Sequence, residues 1–323
     1  MEVEKSEVKN KTVGEYMKLG IICTMINGFG RRGYYNTQEI GLGRELERQG
    51  HEVTIYKCVK KTGGESIERV KLGNTLSILY IPVSSFGAHG CLDTAVLSTD
   101  LDAVLCFADN QIFLPHIYRF CARHEIRMVP YIGRTHSSSG GVHGFAMNTL
   151  FHLGTLRWFR RGPAISKIEE VRQELLQLGV KDVKVAPVGL DFSVMKSDFA
   201  AYDRAALRRE FGLLPEDMVI CTVGRMGPEK NPLDLVEIYQ QVREQKPCKL
   251  LLVGEGTQSE DLKTKIAASK WKSDIVLIDR IPNDQIWKVY ATADYFVNLC
   301  RTEIFGMAIL EAMYYGVSVA ALE

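Results

Sequence analysis

The sequence predicts an α/β fold made of two doubly wound domains in series. Three observations predict it. Short β-rich runs alternate with stretches of helical period along the whole chain of 323 residues. Residues 187–197 carry turn residues and no period, and the alternation starts again after them. Length alone suggests about two domains at roughly 150 residues each. The composition, 46% hydrophobic and 24% charged, suits folded cores and excludes wholesale disorder.

The elements follow in order. Leu19 to Thr24 is a strand, and Asn27 to Gly33 is a glycine-rich loop. Thr37 to Gln49 reads as a helix stopped by Gly50, and His51 to Tyr56 as the next strand. Strand, glycine loop, helix and strand make a βαβ unit, which implies a parallel sheet. Ile78 to Val83, Leu101 to Phe107 and Arg127 to Ile132 read as strands, with a helix over Ile112 to His124. A loop over Gly133 to Gly141 precedes a helix over Leu150 to Arg161, a short strand over Pro163 to Ser166, a helix over Lys167 to Leu178 and a strand over Val183 to Pro187.

After the linker, strands are expected at Met218–Val223, Lys249–Val253, Ile275–Ile278, Tyr295–Leu299 and Val317–Leu322. Helices are expected at Pro232–Glu244, Ser259–Ser269, Asn283–Thr292 and Phe305–Tyr315. The expected domains are 1–190, with a polar leader over 1–18, and 191–323. Residues 1–190 hold 24 Lys+Arg and 19 Asp+Glu, net +5; the remainder hold 16 and 20, net −4. The change of sign supports the division. Ligands of such sheets bind outside the carboxyl ends of the strands, and a cleft between two such domains is the expected site.

Whole-chain net charge is +1, which disfavours nucleic-acid binding by bulk charge. The eight cysteines form no C-x-x-C pair, and Cys23, Cys106 and Cys221 sit inside apolar runs as small hydrophobes. A reducing, cytoplasmic compartment fits. Residues 1–18 contain no apolar core of a secretory signal, and apolar runs fall short of the ~20 residues of a spanning helix. The expectation is a soluble chain, peripheral to a membrane at most.

Four segments could carry chemistry. Gly224 to Pro232 follows a strand and opens a helix; Arg225 and Lys230 lie beside its N-terminus, which suits a diphosphate. The plain alternative is a solvated turn. Glu303 and Glu311 flank the start of the next helix and could accept hydrogen bonds from vicinal hydroxyls, or simply form a solvated face. Gly28 to Gly33 approximates G-x-G-x-x-G, yet Tyr56-Lys57-Cys58 stands where a nicotinamide site needs an acid, so that reading fails. His136 lies in the loop after the Arg127–Ile132 strand; a lone loop histidine can equally be structural. No Ser/His/Asp order, H-E-x-x-H or Walker A spacing is present.

Together these segments resemble the group 1 (family 4) glycosyltransferases, retaining enzymes of the GT-B fold with two Rossmann-like domains facing a cleft. Gly50-His51-Glu52-Val53 is similar to the family's G-H-x-V. Pro187 to Asp191 is similar to its P-N-G-V-D, with Val188 for Asn, and Gly224-Arg225 to Lys230-Asn231 to its phosphate segment. Val253-Gly254-Glu255-Gly256, Tyr290 to Asp294 and Glu303 to Glu311 match its V-G-x-G, Y-x-x-A-D and E-x7-E elements. The likeness runs from about Gly20 to Leu322.

The resemblance implies roles. Arg225 and Lys230, with Gly224, would hold the diphosphate of a UDP-, GDP- or ADP-sugar, UDP being favoured. Glu311 would bind the ribose. Glu303 and His136 would contact the sugar, with backbone at Phe305, Gly306 and Met307. Ile281 would meet the base, and Gly33 would approach the phosphates, although Arg31-Arg32 crowd that loop. The implied activity is hexosyl transfer to a hydroxyl of a glycan or lipid-linked acceptor, with no metal and no cofactor; no Asp-x-Asp element is present. A GT-B epimerase and a non-catalytic sugar-nucleotide-binding subunit are the rivals. Leu156 to Arg161, with two aromatics and three arginines, could touch an anionic membrane; alternatively its arginines complement a helix end. Family members usually continue beyond the last strand, so the resemblance also implies an abbreviated carboxyl-terminal domain.

Overall fold

The computed structural model describes residues 15–26, 38–137, 141–198 and 201–322. The described chain divides into two compact units, which part between Gly189 and Leu190. In both, apolar runs without strict alternation become buried parallel strands, because helices cover both faces of the sheet.

The amino-terminal unit runs β1 (Lys18–Cys23), α1 (Gln38–Arg48), β2 (Glu52–Lys60), β3 (Glu68–Lys71), β4 (Leu76–Val83), β5 (Ser85–Phe86), β6 (His89–Gly90), β7 (Ala103–Phe107) and α2 (Pro115–Arg123). It continues with β8 (Arg127–Ile132), α3 (Gly141–Leu150), a π turn (Phe151–Thr155), α4 (Leu156–Phe159), β9 (Ala164–Ser166), α5 (Glu169–Gln177) and β10 (Val183–Val185). The main sheet order is β10-β9-β8-β7-β1-β2-β4-β3. Successive strand residues point to opposite faces. Ile21, Val53, Ile55 and Ile78 pack with Ile40, Leu42 and Leu46 of α1. Ile22, Tyr56, Leu79 and Cys106 join the other core, with Ile117, Phe159 and Leu175.

The carboxyl-terminal unit runs α6 (Arg204–Glu210), β11 (Val219–Val223), α7 (Pro232–Gln245), β12 (Lys249–Val253), α8 (Ser259–Ala268), β13 (Ile275–Ile278), α9 (Trp287–Thr292), β14 (Tyr295–Asn298), α10 (Met307–Tyr314) and β15 (Ser318–Ala321). Its five-stranded sheet is parallel throughout, in the order β13-β12-β11-β14-β15. Cys221, Leu251 and Phe296 face α9 and α10, while Ile220, Leu250 and Leu252 face α7 and α8.

Four expectations change. β3 pairs antiparallel with β4, so the first sheet is mixed rather than parallel. Only the short turn between them is needed, and Leu72 N–H closes it on Leu76 O. The helix expected from Leu150 begins at Gly141, since two glycines and exposed apolar residues among its first turns blur the helical period. α6 was not foreseen; its signal was Asp203, whose side chain accepts the Ala206 N–H at 2.9 Å. Asn283–Thr292 shortens to α9, because Pro282 starts a turn that Gln285 N–H closes. All eight cysteines are free thiols, and burial pushes Cys23, Cys106 and Cys221 far above the usual thiol range.

Strand order reverses direction between β11 and β14, and one carboxylate clamps the amino ends of that pair. Asp294 accepts from Arg204 Nη2 at 2.7 Å, Arg208 Nη2 at 2.8 Å and Val219 N–H at 2.7 Å. Its own N–H donates to Val219 O at 2.9 Å. Arg208 is buried and also reaches Thr292 O. Removing the carboxylate strands a buried guanidinium and a strand N–H. Asp294→Ala should therefore cost about 2–3 kcal/mol in urea unfolding of this unit; a loss below about 0.5 kcal/mol would refute the clamp.

Candidate functional site

At the carboxyl edge of the second sheet the same switch point collects the charged side chains. The loop after β11 carries Gly224, Arg225 and Lys230, and the loop after β14 carries Glu303. Lys230 Nζ pairs with Glu303 Oε2, and Asn298 Nδ2 donates to the same oxygen at 3.2 Å. The Gly306 N–H also bonds this carboxylate. Burial pushes the Glu303 carboxyl up, but Lys230, Asn298 and Gly306 outweigh it and hold the group below its ordinary value. Lys230 sits in a 3₁₀ turn over Pro228–Lys230, and Asn231 in a left-handed conformation starts α7. The Asn231 amide ties that start to Leu299 O at 2.8 Å.

Arg225 lies elsewhere on the loop. It is exposed and pairs with Glu229 four residues on, at 2.5 Å. Glu311, in α10, does not join the Lys230–Glu303 pair; it accepts from Tyr290 Oη at 2.7 Å. Tyr290 is fully buried and stacks on Tyr315 at 5.8 Å. Gly306 takes φ 64 as the cap of α10, and Phe305 and Met307 flank it half-buried. Ile281 packs its side chain on the core after β13.

Two tight turns shape this edge. Gly254 takes φ 142, and a Cβ there would lie 1.7 Å from Gly224 O. A Cβ on Gly256 would lie 2.3 Å from Met226 O. Met226 N–H and Gln258 N–H lock these turns by bonding Glu255 O and Met226 O. The backbones after β11 and β12 thus touch, a close approach that only glycine permits at Gly254 and Gly256.

In the amino-terminal unit, His136 is exposed in the loop after β8. Side chains from neighbouring elements hold that loop. Asp109 accepts the Gly133 N–H, and Asn110 Nδ2 donates to Thr135 O at 3.1 Å. Asn148 Oδ1 accepts the Ser137 N–H at 2.6 Å, and the Thr135 hydroxyl bonds Glu174. Asp109 pairs with the buried Lys167 at 2.8 Å, whose ammonium lies 5.4 Å from the Phe107 ring and 5.2 Å from the Tyr131 ring. The loop over Gly28 to Gly33, and Gly33 with it, lies outside the described residues, as do Ser138 and Ser139.

Sequence reading had assigned no role to Asn298, Tyr290, Asp109 or Asn148. Tyr290 and Asp294 stood in a noticed motif, but only their partners reveal what they do. Where the second strand lacked an acid, Lys57 is buried in an ion pair with Glu39 of α1. Among the described residues, no group of three or more His, Cys, Asp or Glu could hold a metal ion, and no helix is long and apolar enough to cross a membrane.

Known proteins share parts of this sequence and its fold. Residues 203–322 match the family model of glycosyl transferases group 1. A D-inositol 3-phosphate glycosyltransferase of Segniliparus rotundus is 33% identical over 144 residues, 43% of this chain and 31% of that protein. An alpha-monoglucosyldiacylglycerol synthase of Streptococcus pneumoniae is 23% identical over 295 residues, 87% of this chain and 66% of that protein. The match thus spans less than a third of the first relative and just under two-thirds of the second. Sucrose-phosphate synthase from Thermosynechococcus elongatus superposes with TM-score 0.71 at 14% identity, over 94% of this chain and 81% of its own. Other solved chains of this fold carry UDP and glucose, or ADP and acarbose.

Two outcomes test the site's construction. Gly254→Ala should destabilise the second unit by about 3 kcal/mol or more in urea unfolding, since backbone must move to admit the methyl; unchanged stability would refute the close approach. A Lys230→Ala/Glu303→Gln double-mutant cycle should give a coupling of about 1 kcal/mol at neutral pH. A carboxylate with a lowered folded pKa stabilises above its unfolded value, and loses that contribution as pH falls through the folded one. The coupling should be whole above about pH 5 and fade on further acidification; a pH-independent coupling would refute the pairing.

Proposed function

We propose that this chain, whose residues 203–322 match the model of group 1 glycosyl transferases, moves a hexosyl group from a nucleoside-diphosphate sugar to a hydroxyl acceptor with retention of configuration. The observation that carries the reading is the Lys230–Glu303 pair at the switch point, beside the glycine turns at Gly224, Gly254 and Gly256. The diphosphate enters over these turns. Lys230 and Arg225 meet its oxygens, and the N–H groups at the start of α7 add to them. Glu311, oriented by the Tyr290 hydroxyl, accepts from the ribose hydroxyls. Glu303 faces the sugar with the Phe305–Met307 backbone, and Ile281 borders the base.

In the reaction the bond from C1 to the diphosphate oxygen breaks. The new bond to the acceptor oxygen forms on the same face, and the acceptor proton passes to the leaving diphosphate. Negative charge grows on the diphosphate, where Lys230 and Arg225 stabilise it in place of a metal. Once a diphosphate competes for its ammonium, Lys230 has two anionic partners, and Glu303 is left to hydrogen-bond a sugar hydroxyl. The acceptor is a glycan or a lipid-linked glycan on the cytoplasmic side. The lipid-acting relative from Streptococcus pneumoniae supports the second of these.

A thermal-shift panel of UDP-, GDP- and ADP-sugars should show stabilisation by one base class, favouring UDP, because a ligand that binds only the native state stabilises it. Lys230→Ala should weaken that donor about tenfold or more. An undiminished response would overturn the phosphate assignment. Product analysis by proton NMR should find the donor's anomeric configuration kept; donor epimerised without transfer would overturn the transferase reading.

A further inference from the structure

The helical segment 141–159 has a face that its unit does not use. Gly144, Met147, Phe151, Thr155 and Phe159 are buried at spacings of three to four residues. The π turn keeps this face continuous into α4, with Leu156 N–H bonded to Phe151 O. On the outer face Val142 is 86% exposed, Phe145 75%, Leu150 50% and Leu153 73%. A helix on a solvated surface carries polar residues there. Four large apolar side chains grouped over three turns mark an interaction surface instead.

The charge beside them says what the surface meets. Residues 141–161 contain three arginines and no Asp or Glu. Arg157, Arg160 and Arg161 are exposed and follow the apolar residues directly. Arg160 Nε donates to Leu178 O at 2.8 Å, capping α5. Arg161 lies over the Trp158 ring at 4.4 Å, and Arg157 lies 5.8 Å from it. One indole thus holds two guanidiniums together.

We propose that the outer face of residues 141–161 docks on an anionic phospholipid surface. Phe145, Leu153 and their neighbours enter the boundary of the acyl region, and Arg157 and Arg161, gathered by the Trp158 ring, bond lipid phosphates. A second copy of the chain offers no carboxylate on this segment to answer the arginines. Docking also places the loop of His136 beside the lipid, because Asn148 of α3 holds the Ser137 N–H. A lipid-linked hydroxyl would therefore reach that loop without leaving the bilayer surface. The docking goes beyond the transferase reading and does not depend on it.

Flotation with phosphatidylcholine vesicles, with and without phosphatidylglycerol, tests this without donor or acceptor. The wild type should rise with the anionic vesicles, stay behind with the neutral ones and be released by salt. Phe145→Ser/Leu153→Ser should lower partition about tenfold or more by removing inserted area. Arg157→Ala/Arg161→Ala should lower it about 25-fold, at about fivefold for each charge near an anionic surface. All four side chains are largely outside the core, so melting temperatures should stay at the wild-type value. Failure to rise with anionic vesicles, equal flotation of the Phe145/Leu153 variant, or a wild-type dimer that this variant dissolves would each overturn the proposal. Flotation by a chain that no nucleotide sugar stabilises would sustain the docking and remove only the transferase reading.

Discussion

The pairing of β11 with β14 is the constraint on which the second unit depends. The chain winds outward from β11 through β12 to β13, then returns to lay β14 on the other side. Loops on either side of that switch diverge, so a concavity forms where they part. Asp294 fixes the amino ends of the two strands, and Lys230 with Glu303 faces across their carboxyl ends. The residues that would meet a ligand and those that hold the sheet together are thus two ends of one strand pair.

Electrostatics at that edge are arranged rather than abundant. Whole-chain charge is nearly balanced, yet one ammonium and one carboxylate are drawn together in a half-buried place with an amide and a backbone N–H beside them. Lowered dielectric makes such contacts count for more than exposed pairs such as Arg225–Glu229. Glu311 is managed differently. A buried phenol aims it, and burial beside that carboxylate pushes Tyr290 far above the usual tyrosine range, so the hydroxyl keeps its proton and donates. Two glutamates eight residues apart therefore have separate environments and separate partners.

The amino-terminal unit spends buried polar groups on one loop. Asp109 and Asn110 of the loop after β7, Asn148 of α3 and Glu174 of α5 all bind the stretch Gly133–Ser137. A buried lysine pairs with Asp109 and directs it, and two ring faces support its ammonium. Such networks fix one conformation when every member is satisfied. The exposed His136 is held in place by its backbone, while the adjoining helix turns apolar and basic residues outward.

The sequence by itself determined the alternation of elements, because strand-length apolar runs and helical periods are local signals. Lys249–Val253, Ile275–Ile278 and Arg127–Ile132 coincide with observed strands residue for residue. It also marked Lys230, Glu303 and Glu311, since glycine turns and charges at helix starts are visible in one dimension. It could not show β3 turning back on β4, for an exposed strand of Glu68–Lys71 carries little apolar signal. Nor could it show that Lys230 lies against Glu303 while Glu311 lies against Tyr290, since 73 and 21 residues separate the partners. Tertiary structure decided those pairs, because strand order is set by how the cores close on both faces of the sheet.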